Sequence, residues 1–238
     1  MKKTSAAIFC ALSLLLAGNA AMADALDEKS RSIVAISAYT AQGDMEKLDA
    51  SLVRGLEADL TVSEIKEVLV QLYAYTGFPR SLNAIHRFMD VTKRRAEACI
   101  KDEPGKEPSP VPAGINKDDY GAKVRAKLGG RTQIPPPAGY QVFAPVIDTF
   151  LKEHLFCDIF IRDNLSPKYR ELATIGALGA MTGTAGQLNF HLGAALNTGT
   201  TVEEMEDYFA EIERSAGEEQ EKIARDVLAN ILPKRKAS

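Results

Sequence analysis

The chain carries the same helical text twice. Leu26-Asp27-Glu28-Lys29-Ser30-Arg31 can be laid on Leu165-Ser166-Pro167-Lys168-Tyr169-Arg170, and with one residue inserted in the second half Thr61-Val62-Ser63-Glu64 falls on Thr201-Val202-Glu203-Glu204. The last two are capping boxes, in which a threonine and a glutamate three residues on satisfy each other's backbone N–H at a helix start. An internal duplication restricts the chain to two like halves that bury their apolar faces together. Those faces have helical period: Ile33 and Ile36 with Tyr39 or Thr40; Leu48, Leu52 and Leu56; Ile65, Val68, Leu69 and Leu72; then Leu172, Ile175 and Leu178, and Leu188, Leu192 and Ala195. No alternating strand pattern interrupts them, so the expected class is all-α.

The punctuation agrees with that reading. Gly43-Asp44 stops the first helix, Gly77 caps the third, and Pro79 suits the first turn of a fourth helix carrying Leu82, Ile85 and Met89 inward. Ser166-Pro167 opens a helix and Gly199 closes the one after it. Eight of the 11 prolines lie between Lys101 and Pro145, which marks a connector with room for one short helix over Tyr120 to Leu128, ended by Gly129-Gly130. After Pro145 the apolar positions Ile147, Phe150, Leu151 and Leu155 restore helical spacing. The expected organisation is a first repeat over 24–101, a Pro-rich connector over 102–145, a second repeat over 146–233 and a solvated basic tail over 234–238.

Residues 1–23 read differently. Lys2 and Lys3 precede the apolar run from Ala6 to Ala17, and Ala21-Met22-Ala23 supplies small residues for cleavage before Asp24. This is the pattern of a secretory signal peptide, and the expected location is periplasmic or secreted, with no membrane attachment once the segment is removed. Its removal takes two lysines from 29 basic residues and none from 32 acidic ones, moving the net charge from −3 to about −5. That balance, without basic residues interleaved with aromatics, disfavours a nucleic-acid partner. Cys99 and Cys157 remain, either as one disulfide or as two separate thiols.

The candidate chemistry lies in the second half. Glu171 falls on or beside an apolar helical stripe, and His191 sits between Leu188 and Leu192 with Gln187 one turn before it on the same face. An inward carboxylate near an inward imidazole can do acid–base work; the alternative is a core histidine held by its neighbour. The first half sets Ser32 and Ser51 at the matching positions and lacks both ionisable groups. Its own candidate is Tyr75, in Gln71-Leu72-Tyr73-Ala74-Tyr75-Thr76-Gly77-Phe78-Pro79, a stretch with no clear counterpart near Ser215-Ala216-Gly217. His154 with Arg162 as a carboxylate-binding group is a further candidate, against a solvated charged helix face. The three histidines at 86, 154 and 191 form no short-spaced pair, so no metal is expected, and no phosphate-cradling loop is present.

Tyr75 to Pro79 with Asn83-Ala84, Arg170-Glu171-Leu172, Gln187 to His191 and Gly199 to Glu204 resemble the carboxymuconolactone decarboxylase family, related to alkylhydroperoxidase D. The resemblance implies two tandem alkylhydroperoxidase D-like helical units, symmetric oligomers (most simply a trimer of two-repeat chains), and sites near helix ends at repeat or subunit contacts. In the peroxidase branch a glutamate is followed by Cys-x-x-Cys-x-x-x-His. Carried across, these positions fall on Glu171, Thr184, Gln187 and His191, so the redox thiols are absent. The Gln-x-x-x-His form is similar to the decarboxylase branch, which implies a cofactor-free lyase or isomerase acting on a small carboxylate or lactone. In that scheme His191 moves the proton, Glu171 orients it, and Gln187 hydrogen-bonds substrate or a developing enolate. The competing expectations are a thiol-dependent antioxidant activity and a non-catalytic binding or assembly protein on the same fold.

Overall fold

The computed structural model describes residues 26–236, so the signal-peptide segment 1–23 and the last two residues of the basic tail lie outside the described residues. Helices account for the described secondary structure, with no strand among those residues. In the first half, α1 (Glu28–Gln42), α2 (Met45–Glu57) and α3 (Val62–Glu97) follow one another; in the second, α7 (Pro167–Gly179), α8 (Ala185–Asn197), α9 (Glu204–Ala216) and α10 (Glu218–Lys236) repeat the plan. Between them stand α4 (Lys117–Leu128), the short α5 (Tyr140–Phe143) and α6 (Pro145–Phe150), and a nine-residue π-helical segment, Leu151–Ile159.

Helices open at Thr61 and Ser166 as their capping chemistry led one to expect, and Asp27 and Asp44 supply two further caps. Asp27, Asp44, Thr61 and Ser166 each accept a backbone N–H of the helix they open. Thr61 and Glu64 close the full reciprocal box; Thr201 and Glu204 do the same, with Thr201 N–H donating to Glu204 Oε2 at 2.8 Å and Glu204 N–H to Thr201 Oγ1 at 3.1 Å. At the centre α1 packs on α7, and both are buried almost all round, which is why neither shows a clean polar face.

The repeats grip each other by exchange. Arg31 of the first pairs with Asp207 of the second at 3.0 Å, and Arg170 of the second pairs with Glu67 of the first at 2.8 Å. These are the same two positions of the duplicated unit, used reciprocally. The equivalence also runs through the bend inside α3, correcting the expectation that this stretch has no counterpart. Gly77 has φ 78° and ψ 159°, and Gly217, between α9 and α10, has φ 92° and ψ 168°. The part of α3 beyond Gly77 therefore corresponds to α10.

The break falls at Gly77, where a glycine stop and a proline start were expected, but the inward face of the segment beyond it differs from the expected one. Leu82 and Met89 are exposed, and the buried stripe beyond Pro79 is Ser81, Ala84, Phe88 and Val91. The Pro-rich connector is not loose: Glu103 and Pro104 carbonyls accept the N–H groups of Val62 and Ser63 at 2.9 and 3.0 Å, so the connector completes the start of α3. Its one longer helix, α4, lies against the π-helical segment, where Gly121 is required because a Cβ there would overlap the Lys152 backbone carbonyl. At the C-terminus Pro233, Lys234 and Arg235 continue α10 and are exposed. Cys99 is exposed and Cys157 buried, and both are free thiols.

Candidate acid–base site

α7 and α8 are joined by a tight turn in which the Thr184 hydroxyl donates to the carbonyls of Leu178 and Met181, at 2.7 and 3.0 Å. The turn faces Glu171 toward His191, and Nδ1 of the imidazole lies 2.8 Å from Glu171 Oε2. Both side chains are in the core: Glu171 is 0% and His191 5% exposed. The imidazole stands between two aromatic edges, Tyr75 at 5.5 Å and 84° and Phe190 at 5.1 Å and 90° between ring planes. A second apolar cluster, built from Leu128, Leu155, Phe156, Ile159 and Ala194 and contacted by Tyr73, Tyr75 and Phe190, encloses this side of the site.

What the pair leaves unused matters as much as its bond. Glu171 Oε1 is buried and bonds no other group, His191 Nε2 has no protein partner either, and the buried Tyr75 hydroxyl lies beside the Thr174 side chain without a hydrogen bond of good geometry. Burial and the negative charge of Glu171 push the Tyr75 phenol above its ordinary range, which keeps it a neutral hydrogen-bond donor. An ionised Glu171 would fix the Nδ1–H tautomer and leave Nε2 as the working nitrogen.

Behind the site runs a buried polar chain that links the repeats. Gln71 donates to the Arg170 carbonyl (2.8 Å) and Thr174 Oγ1 (2.9 Å), and its own Oε1 accepts from Arg170 Nη1 at 2.9 Å. Glu67 accepts from Arg170, from Arg162 on both oxygens, and from Asn164. Sequence reasoning did not single out Glu67, Arg170 or the aromatic wall of Tyr73 and Phe190. The signal for Arg170 was present, since it repeats Arg31 and precedes Glu171.

The sequence-derived residues are therefore divided in space. His191, Glu171 and Tyr75 come together. Gln187 is exposed and makes no side-chain hydrogen bond, because the first turn of α8 projects out of the core before the helix enters it. Arg162 is clasped by Glu67. His154 is exposed, bonds Asp158 at 3.0 Å, and touches the site's surroundings only through Tyr73, 5.5 Å from its ring.

Two stretches of the chain, residues 11–88 and 145–230, match the profile described as the carboxymuconolactone decarboxylase family. Together they span well over half the sequence and correspond to the two repeats. No curated protein matches the chain.

Proposed function

The chain belongs to the carboxymuconolactone decarboxylase family, and from that membership we propose that it is a cofactor-free acid–base enzyme, a decarboxylase, related lyase or isomerase acting on a small carboxylate or lactone. The observation that carries the reading is the buried His191–Glu171 bond, with Nε2, Glu171 Oε1 and the Tyr75 hydroxyl all uncommitted beside it. A core histidine held for packing would be expected to have its carboxylate partner fully bonded.

In this scheme Glu171 holds Nδ1–H, so His191 exchanges protons through Nε2 alone. For a decarboxylation, the breaking C–C bond leaves its electron pair on the substrate as an enolate. The neutral Tyr75 phenol donates a hydrogen bond to the enolate oxygen, the role first assigned to Gln187. Before the transfer Nε2 takes a proton from solvent, giving an imidazolium that Glu171 stabilises through Nδ1–H; it delivers that proton to carbon and returns to the neutral Nδ1–H form. A thiol peroxidase reading has less to stand on, since Thr184 and Gln187 occupy the thiol positions and Cys99 and Cys157 lie outside the site.

A panel of small keto acids and lactones, assayed for CO₂ release and ring opening, tests the proposal. Turnover that disappears in His191→Ala while the variant is folded supports it; absence of turnover across the panel, or full turnover in the folded variant, overturns it. We propose further that the protein is exported after cleavage before Asp24 and works as a homo-oligomer, most simply a trimer. Exposed Phe143, Phe78 and Met89 support the second part, at 93%, 63% and 60% exposure. Intact mass of exported protein and light scattering check the two; a retained leader or a monomer refutes the respective part. No helix among the described residues is long and apolar enough to cross a membrane.

A further inference from the structure

A cavity of about 390 Å³ opens between α4, the chain just after the π-helical segment, and the start of α7. His191, Glu171 and Tyr75 are not among its lining residues. Its walls are apolar at Leu128, Phe160 and Leu165 and basic at Lys127, Arg162 and Arg170. The volume falls in the range of sites for small organic ligands.

The charge on this wall is not balanced from within. Arg162 and Arg170 share one carboxylate, Glu67, so their hydrogen-bonded cluster carries one positive charge in excess. Asp163 also lines the cavity, but its carboxylate accepts from the Ser109 backbone and hydroxyl, both at 2.8 Å, and pairs with Lys106. Arg170 is 1% exposed, and its Nε is buried without a partner. The Phe160 ring lies 5.7 Å from the Arg170 guanidinium and forms part of the same wall. Arg162 is 36% exposed and leaves part of that excess to solvent, whereas Arg170 is enclosed with one N–H unmet, and a guanidinium N–H is a charge-assisted donor suited to a carboxylate.

We infer that this cavity is a binding site for a small organic carboxylate, separate from the acid–base site, with Arg162 and Arg170 facing the carboxylate and Phe160 and Leu128 covering an apolar body. The start of α7, a 13-residue helix, adds its positive end to the same wall.

Calorimetric titration of the whole protein with benzoate, benzamide and inorganic phosphate tests this. Benzoate is expected to bind saturably, one per chain, and the other two about tenfold or more weakly, since one lacks the charge and the other the apolar body. Arg162→Gln should weaken benzoate by a similar factor, and His191→Ala should leave it unchanged. Lys127→Glu, on the exposed rim, provides a variant with no buried contact to lose and should weaken benzoate several-fold. The inference is overturned by absence of saturable benzoate binding, by benzamide or phosphate binding as tightly, or by binding that is lost in His191→Ala and kept in Arg162→Gln.

Discussion

The two repeats are built from one plan, yet the buried ionisable and phenolic groups of the candidate site gather in only one of the two places the plan offers. In the pseudo-symmetric frame, Glu171 of α7 corresponds to Ser32 of α1, His191 of α8 to Ser51 of α2, and Tyr75 of α3 to Ser215 of α9. All three ionisable or phenolic groups have serine as their counterpart. The exchanged arginine–carboxylate pairs and the glycine bends, by contrast, are kept in both halves. The scaffold requires both copies of the bridge and the bend, because each repeat buries its face on the other. It requires one copy of the site.

The largest expected effect tests that asymmetry directly. His191→Ala should lower the turnover of the folded protein by about 10² to 10⁴, the range for loss of a positioned proton donor, with helical content preserved and about 1–3 kcal/mol of stability lost because buried Glu171 is left without its partner. Ser51→Ala should leave turnover unchanged, since its hydroxyl only back-bonds the Lys47 carbonyl within α2. Rates and melting curves measured on both variants decide the matter. Equal rate losses would mean that both halves act; an early melt with normal turnover in His191→Ala would assign the imidazole to the core.

The second comparison concerns the exchanged bridges. Glu67→Ala strands the buried Arg170 guanidinium and frees Arg162, which is 36% exposed, and should cost about 3–5 kcal/mol in chemical unfolding. At Asp207 and Arg31 the side chains are 21% and 28% exposed, and Asp207→Ala should cost about 1 kcal/mol, mostly through its bond to the Leu26 N–H. Equal losses would show that the two bridges, though equivalent by position, do not differ in burial as described.

How much of this was legible depended on range along the chain. Helix starts were readable because Thr61 and Glu64, or Ser166 and Tyr169, satisfy each other within one turn. The His191–Glu171 bond was within reach because both residues belong to adjacent helices with clear stripes. The exchanged bridges were not, because Arg31 and Arg170 each find their carboxylate in the other repeat, and nothing local distinguishes that pairing from a surface charge. Leu82 and Met89 misled because spacing shows which residues share a face and not which face turns inward, and the buried face here runs through Ser81, Ala84, Phe88 and Val91; Gln187 misled because spacing does not fix depth either. For His154, the π-helical segment turns side chains at a different pitch from the α-helical spacing assumed for them.

A third comparison sharpens the role of the phenol. Tyr75→Phe removes a hydroxyl that makes no hydrogen bond of good geometry, so stability should be unchanged or slightly raised while turnover falls by about 10² to 10³, the usual effect of losing one donor to a developing oxyanion. Ser215→Ala removes a hydroxyl that bonds only the Ile212 carbonyl and should leave turnover alone. Because burial and Glu171 raise the phenol above its ordinary value of 10.0, Tyr75 stays protonated through that pH, and the rate profile of the native protein should show no alkaline loss arising from it below 10. Full turnover in Tyr75→Phe would place the ring in the core and leave the enolate without its proposed donor.

The smallest effect separates scaffold from site at the bends themselves. Gly77 and Gly217 both adopt a positive φ with ψ near 160°, a region open to glycine almost alone. A Cβ would meet only Pro79 Cδ, at 3.6 Å, in the first case and nothing within 4 Å in the second, so the cost of alanine is set by the backbone and not by crowding. Gly77→Ala and Gly217→Ala should therefore destabilise alike, by about 1–3 kcal/mol each. Their effects on turnover should differ. Tyr75 sits two residues before the first bend, and relaxing Gly77 toward a right-handed conformation would shift the end of α3 that holds the phenol over His191. The matching position before Gly217 is Ser215, which no step uses. Folded Gly77→Ala should lose turnover several-fold and folded Gly217→Ala should lose none. Equal rates from the two folded variants would show that the bend fixes only the packing of the repeats and that Tyr75 is held in place by its other contacts.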